Sequence, residues 1–348
     1  HKKLLAIGKL KQHVQAWGEI YTGISAKDYM DGTSNFYGVH SVTLYVDSVQ
    51  VFNSTTDKVL PDENRMINGF TDYEELTRTR RLIMRSYKLP GNRLRLLHPN
   101  ENRGAVTIDE ERDYHFRYVL EDNFGNRRTY QFIVKGKRQD IPEYKPEANE
   151  MLYWNRTNVI QKPGMELVVP RYYVYEDVPL RTDMRGDSSH IAFDYILDAG
   201  RTPIHSYCDL SIGLRHMPVA DTTKYYIVQK AGKWRSSMGG KYANGWIKTR
   251  VRSLGTFSVD VDTIAPQITP IGQGGWRTSR NIRFRIKDME SGIGSYKVYI
   301  DGKFVLFGLK KGILVIQNPE KVKKGVPHKL EVTVTDQCGN MARKEYKF

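Results

Sequence analysis

The stretch LEDNFGNRRTYQF, residues 120–132, has a near copy in VTDQCGNMARKEYKF, residues 334–348. Each reads as a strand-like run, then Asp-x-x-Gly-Asn, then a second strand-like run. Gly in that place supplies a positive φ, Asn tolerates the left-handed region, and Asp accepts local backbone hydrogen bonds, so the motif predicts a tight hairpin reversal. Asp122, Gly125 and Asn126 form the first such turn, and Asp336, Gly339 and Asn340 the second. Their residue types mark them as structural joints rather than chemical sites.

Working outward, KDYMDGTSNFYGVHSVTLYVDSVQVF (27–52) precedes the first copy and KDMESGIGSYKVYIDGKFVLF (287–307) the second. The landmarks recur in one order: a strand ending in Lys-Asp with Met close behind, a Gly-rich turn, a Tyr-[Val/Ile]-Asp strand, and the Asp-x-x-Gly-Asn hairpin. This is an internal repeat. The first copy is longer, and most of its extra length follows Phe52, as an insertion at about residues 61–105 that decorates one end of a small sandwich. Within it, DYEELTRTRR (72–81) is the one convincing helix, with an acid at its start and bases at its end.

Elsewhere, runs of β-branched and aromatic residues bounded by Gly, Asn, Asp or Pro recur along the chain, among them YHFRYVLED (114–122), TYQFIV (129–134), MELVVP (165–170), WIKTRVR (246–252) and KLEVTVTD (329–336). They predict an all-β, multi-domain protein with immunoglobulin-like β-sandwiches at both ends and a central β-domain. The expected division is a sandwich over 1–137, a polar linker over 138–150, a central domain over 151–262, and a second sandwich over 263–348. A length of 348 residues suits such a modular chain. The chain opens on HKKLLAIGKL without an initiating Met, which leads us to expect a mature or truncated product.

With 54 Lys and Arg against 39 Asp and Glu the net charge is +15, enough to attract anionic polymers and surfaces. Arg78, Arg80, Arg81, Arg85, Arg93 and Arg95 cluster along the insertion, and Lys233, Trp234 and Arg235 sit at a hairpin. These are the candidate binding residues. No nucleic-acid-binding motif frames them, so nucleic acid is not an expected partner. No window is apolar enough for a membrane span.

Chemistry is sparse. The two cysteines, Cys208 and Cys338, show neither a disulfide framework nor zinc-knuckle spacing. His190 and Asp194 have a His-x-x-x-Asp spacing but lack the further ligands of a catalytic zinc site. Asp288 and Glu290 are carboxylates at a turn that could help to hold calcium, but no EF-hand pattern accompanies them, and a structural turn is the preferred reading. No catalytic residue, no metal ligand and no cofactor is expected in this chain.

DTIAPQI (262–268) resembles the Asp-Thr-x-Ala/Pro-Pro junction that opens many bacterial immunoglobulin-like repeats, and the central third has a similarity to the strand patterns of ZU5-like modules. A wider resemblance joins AWGEIYTGISAKDYMDG, INGFTDYEE, LPGNRLRLL, ERDYHFRYVLEDNFGNRRTYQF and GGKYANGWIKTRVRSLGTFSVDVDTIAP. In that order they resemble the region after the catalytic domain of Bacteroidetes cell-envelope peptidoglycan endopeptidases of the lysostaphin/LytM zinc type. The resemblance implies a periplasmic or outer-membrane address, zinc only in an upstream domain, and envelope proteins or peptidoglycan as partners. It implies a non-catalytic region that positions a peptidase; the alternative is a stand-alone accessory or scaffold subunit of an outer-membrane complex. In that lineage Asp-[Ser/Thr]-apolar is an O-glycosylation signal, matched by Asp47-Ser48-Val49 and Asp262-Thr263-Ile264.

Overall fold

The computed structural model describes residues 14–29, 36–143, 145–198 and 200–348. The opening HKKLLAIGKL and the Gly-rich turn of the first repeat copy fall outside them. The protein is all-β, with immunoglobulin-like sandwiches at both ends. It forms two compact units: residues up to Asn158 with Val169–Arg181 and Ala199–Tyr207, and Val159–Val168 with Thr182–Asp198 and Cys208–Phe348.

In the first unit a six-stranded sheet runs in the order Val14–Ala16, Arg127–Gly136, Asp113–Glu121, Ser41–Val46, Val49–Thr55, Leu97–Pro99. Strict alternation explains it: Val42, Leu44 and Val46 turn inward on one strand, and Tyr114, Phe116 and Tyr118 on its neighbour. The expected helix is present as Tyr73–Thr79. Asp72 caps it by accepting the Glu75 N–H at 3.0 Å, and Arg80 ends it in the left-handed region.

The insertion does not merely decorate the sandwich. Met66, Met84, Leu89, Leu94 and Leu97 lie in the same core as Phe52 and Phe116, so the inserted segment supplies much of what packs against the sheet. Tyr175 joins that core, and its hydroxyl donates to the Arg65 carbonyl at 2.8 Å. Arg65 in turn donates to the carbonyls of His205 and Ile204 at 2.8 and 3.0 Å. Gly91 passes so close to this segment that a Cβ would stand 3.0 Å from the Val174 and Tyr175 carbonyl oxygens, so a larger residue there would require the facing backbone to shift.

The second unit holds neighbouring strands Asp194–Asp198, Gly255–Val261, Tyr225–Ala231 and Trp234–Ser237, and a further sheet in which Met165–Val169, Cys208–Gly213, Trp246–Val251 and Lys241–Ala243 follow one another. The last sandwich closes the unit. One sheet orders Gln267–Ile271, Arg283–Lys287, Ile313–Ile316, Phe307–Lys310, and the other Lys303–Phe304, Ile293–Ile300, Lys329–Asp336, Met341–Lys347. Between them Trp276 is fully buried, edge-on to Phe284 and Tyr346, with its indole N–H on the Ile271 carbonyl at 3.0 Å.

The repeat is visible in the registers. Glu121 faces Arg127 and Ser41 in the first copy, as Thr335 faces Met341 and Ser295 in the second. Both Tyr-[Val/Ile]-Asp strands turn through paired positive-φ residues, Asp47–Ser48 and Asp301–Gly302.

Candidate functional site

The two Asp-x-x-Gly-Asn turns have one internal geometry. In the first, the Asp122 N–H donates to the Asn126 carbonyl at 3.1 Å, Asp122 Oδ1 accepts the Phe124 and Asn126 N–H groups, and Asn126 Nδ2 donates to Oδ2 at 2.7 Å. In the second, Asp336 N–H donates to the Asn340 carbonyl at 3.1 Å, and the Asn340 N–H and Nδ2 donate to the two Asp336 oxygens, each at 2.8 Å. Gly125 and Gly339 take φ values of +84° and +79°.

Among the described residues, only the second turn is built into a joint. Asp262, fully buried where the strand Gly255–Val261 ends, accepts the Ser291 N–H at 3.0 Å and hydroxyl at 2.5 Å on one oxygen, and the Ile264 N–H at 2.9 Å on the other. Asn340 Nδ2 also donates to the Asp262 carbonyl at 3.0 Å. At the tip of the turn, Cys338 packs with Tyr226 and Val228, and Lys224 Nζ donates to the Cys338 carbonyl at 3.1 Å.

Carboxylate oxygens of Asp262, Asp288 and Asp336 lie within 4.8 Å of one another, the one convergence of three such groups among the described residues. Asp288 meanwhile accepts the Glu290 and Gly292 N–H groups, and the Glu290 carboxylate accepts the Tyr226 hydroxyl instead of joining the trio. Burial raises the Asp336 pKa, the charges of Asp262 and Asp288 raise it further, and the bonds from Asn340 only partly offset them. Chemically the trio can share a proton or offer oxygen ligands to a hard cation. Of its members only Asp288 carries a signal in the sequence that suggests ligand chemistry; Asp262 reads as a junction and Asp336 as a turn.

The basic residues have separate tasks. Arg95 pairs with buried Glu63 at 2.7 Å, and that pairing holds the Glu63 pKa down at about 2. Arg78 pairs with Glu75, Arg85 donates to the Gly69 carbonyl, and Arg93 lies over the Tyr172 ring. Arg80 closes the helix and Arg81 follows it, exposed. Trp234 is 80% exposed beside Arg235, whose guanidinium holds Asp260 at 2.6 Å.

His190 and Asp194 are not joined: His190 contacts Asp187 at 2.9 Å, and Asp194 pairs with Lys230 at 2.6 Å. Cys208 and Cys338 are buried thiols that form no disulfide, pushed up by burial to about 12 and about 11. Ser48 and Thr263 are both exposed. No helix among the described residues is long and apolar enough to cross a membrane.

Residues 149–262 match the Zu5-like domain family, over the same third of the chain whose strand pattern suggested it. No curated relative matches the chain. Among solved structures it is similar to a Ca2+-stabilized adhesin with which an Antarctic bacterium binds ice, at 11% identity over 96% of this chain and 94% of that one, TM-score 0.18. It is also similar to the Bacteroides ovatus mixed-linkage glucan utilization locus protein SGBP-B, solved with a mixed-linkage heptasaccharide, at 10% identity over 99% and 68%, TM-score 0.16. A third is Drosophila N-cadherin EC1-4, at 10% identity over 97% and 72%, TM-score 0.18. None of these similarities assigns a residue or a ligand. The fold and the joint together define a serial β-domain protein: immunoglobulin-like sandwiches at the ends and a Zu5-like segment between them.

Proposed function

We propose that this chain is the non-catalytic scaffolding and docking region of a bacterial cell-envelope zinc peptidoglycan endopeptidase, holding a zinc-bearing domain outside these residues against the wall or against partner envelope proteins. The observation that carries the reading is the joint at Asp262. There, the carboxylate of the strand end, the hydroxyl of Ser291, the amide of Asn340 and the tip of a repeat turn are consumed in fixing one β-domain to the next. Such a device supports a spacer whose task is position. In this reading zinc belongs to the upstream domain and this chain needs no cofactor. The basic surface, at +15, favours the anionic polymers of an envelope.

The test has two arms. The codons ahead of His1 are expected to encode His-x-x-x-Asp and His-x-His in one domain. If they encode only an export signal or a lipoprotein cysteine, the peptidase part of the reading fails and the accessory-subunit reading replaces it. Co-sedimentation of the chain with purified peptidoglycan, beside affinity purification from native envelopes, then separates wall binding from protein docking. Retention in neither overturns the scaffold reading itself. Replacing exposed Trp234 with Ala is expected to weaken whichever retention is seen.

A further inference from the structure

The residues at the tips of the two turns are chemically unlike their surroundings in opposite ways. Cys338, third in Asp-Gln-Cys-Gly-Asn, is 3% exposed because the turn is seated on a strand of the domain before it. Its counterpart in Asp-Asn-Phe-Gly-Asn is Phe124, which is 91% exposed. The first turn closes its own hydrogen bonds through Asp122 and Asn126, so nothing in its geometry calls for an aromatic at the tip. A bare phenyl ring there is unfavourable in water, and the charged side chains of Glu121 and Arg127 beside it pair with each other at 2.8 Å rather than covering it.

We propose that Phe124 is a docking residue: it seats the first sandwich on a β-domain that precedes it in the native polypeptide, as Cys338 seats the last sandwich on the strand Tyr225–Ala231. This rests on the reading above, in which a further domain lies ahead. The second joint states the chemistry of the receiving face. Tyr226 and Val228 alternate along one strand and so share one side, and Lys224 ends the short helical turn Thr222–Lys224 just before it; the two apolar groups take the tip and the ammonium takes its carbonyl oxygen. The face that receives Phe124 carries the same pattern, with a wider recess for a phenyl ring and a donor for the Phe124 carbonyl.

The experiment uses Phe124→Cys, prepared both in residues 1–348 and in the native longer polypeptide, with a maleimide as the probe. Cys208 and Cys338 are 1% and 3% exposed, so the new thiol reacts first. Docking predicts labelling at least tenfold slower in the longer polypeptide, and unchanged thermal unfolding of residues 1–348 on substitution. Equal rates, in a polypeptide that does carry the zinc-ligand motifs upstream, overturn the docking role alone. A polypeptide with no β-domain ahead of the first sandwich overturns it as well, while the retention assays decide the scaffold reading separately.

Discussion

Asp122 and Asp336 occupy the same position of the same turn, accept from the same amide two residues past the tip, and titrate in opposite directions. The bonds from Asn126 lower the Asp122 pKa; burial raises that of Asp336, and its carboxylate neighbours add to the rise. The turn therefore dictates its own backbone but not its electrostatics, which come from what is packed against it. A repeat can keep one hairpin and give it two settings: a tip exposed within residues 1–348 in the first copy, and the closing piece of an interdomain joint in the second.

The comparison breaks most visibly at Asp262. Replacing it with Ala removes the acceptor of the fully buried Ser291 hydroxyl and of two backbone N–H groups, and unsatisfied groups of that kind cost about 3 kcal/mol together. The loss is expected in the last sandwich only. Hydrogen exchange should quicken in Lys329–Lys347 and stay unchanged in Asp113–Gly136, and equal effects in the two hairpins would show that the joint is not local.

A paired substitution sharpens the contrast. Asn340→Ala removes a side chain that bonds both its own turn and the Asp262 carbonyl, and it should cost about 2 kcal/mol. Asn126→Ala removes only a water-exposed bond and should cost less than half as much. Denaturant unfolding followed separately in the two hairpins by exchange measures both; similar losses would mean that burial adds nothing to the turn.

The Tyr-[Val/Ile]-Asp landmark of the repeat behaves alike. Asp47 and Asp301 each accept the N–H of the neighbouring strand, from His115 at 2.8 Å and Lys329 at 2.9 Å. Asp47 then meets the guanidinium of Arg112, and Asp301 meets the ring of His328. Buried His328 has acceptors at both nitrogens, Asp301 at 2.6 Å and the Lys323 carbonyl at 2.8 Å, so it fits as an imidazolium donating twice. Burial lowers its pKa, but these two bonds outweigh burial and the nearby Arg277 charge, and the net shift is upward.

A raised histidine pKa stabilises fully below the unfolded value of about 6.5 and loses its effect as pH rises through the folded value. The last sandwich should therefore weaken on moderate alkalinisation while the first does not. His328→Gln should cost about 1 kcal/mol at pH 6, and the cost should shrink as pH rises. A variant equally impaired at pH 6 and pH 9, or a neutral ring by nitrogen NMR at pH 6, would contradict the charged form.

Much of this architecture is legible in sequence because its causes are local. Alternation in SVTLYV and KLEVTVTD sets a strand face, Asp72 caps its helix three residues on, and Gly125 and Gly339 mark reversals. The trio is not legible, because Asp262, Asp288 and Asp336 sit at the ends of strands from three different sheets, which meet only once all three have formed. Each residue shows the sequence only its own turn. The arginines from Arg78 to Arg95 are neighbours in sequence whose partners are not: Arg78 meets Glu75, Arg85 the Gly69 carbonyl, Arg93 the Tyr172 ring and Arg95 Glu63, while Met66, Leu89 and Leu94 reach the core without the period of either a helix or a strand.

The smallest expected effect tests the electrostatic half of the contrast. Because the folded pKa of Asp336 is raised, this group favours folding below its unfolded value near 3.9, and that contribution is lost as pH rises through the folded one. At neutral pH its charge opposes those of Asp262 and Asp288. Asp336→Asn keeps an acceptor for the Asn340 N–H but loses the one for Asn340 Nδ2, a cost of about 1 kcal/mol. Removing the charge relieves the repulsion from the two carboxylates, so at pH 7 the two effects offset and stability should change by no more than about 0.5 kcal/mol. Lowering the pH toward 4.5 should then raise the melting temperature of the wild type relative to that of the variant. The opposite pattern is distinctive: a variant clearly weaker at pH 7, together with a wild-type melting temperature that millimolar calcium raises and the variant's does not follow. That result would mean that a cation, and not a shared proton, neutralises the three carboxylates, and the second turn would then differ from the first by a bound ion as well as by burial.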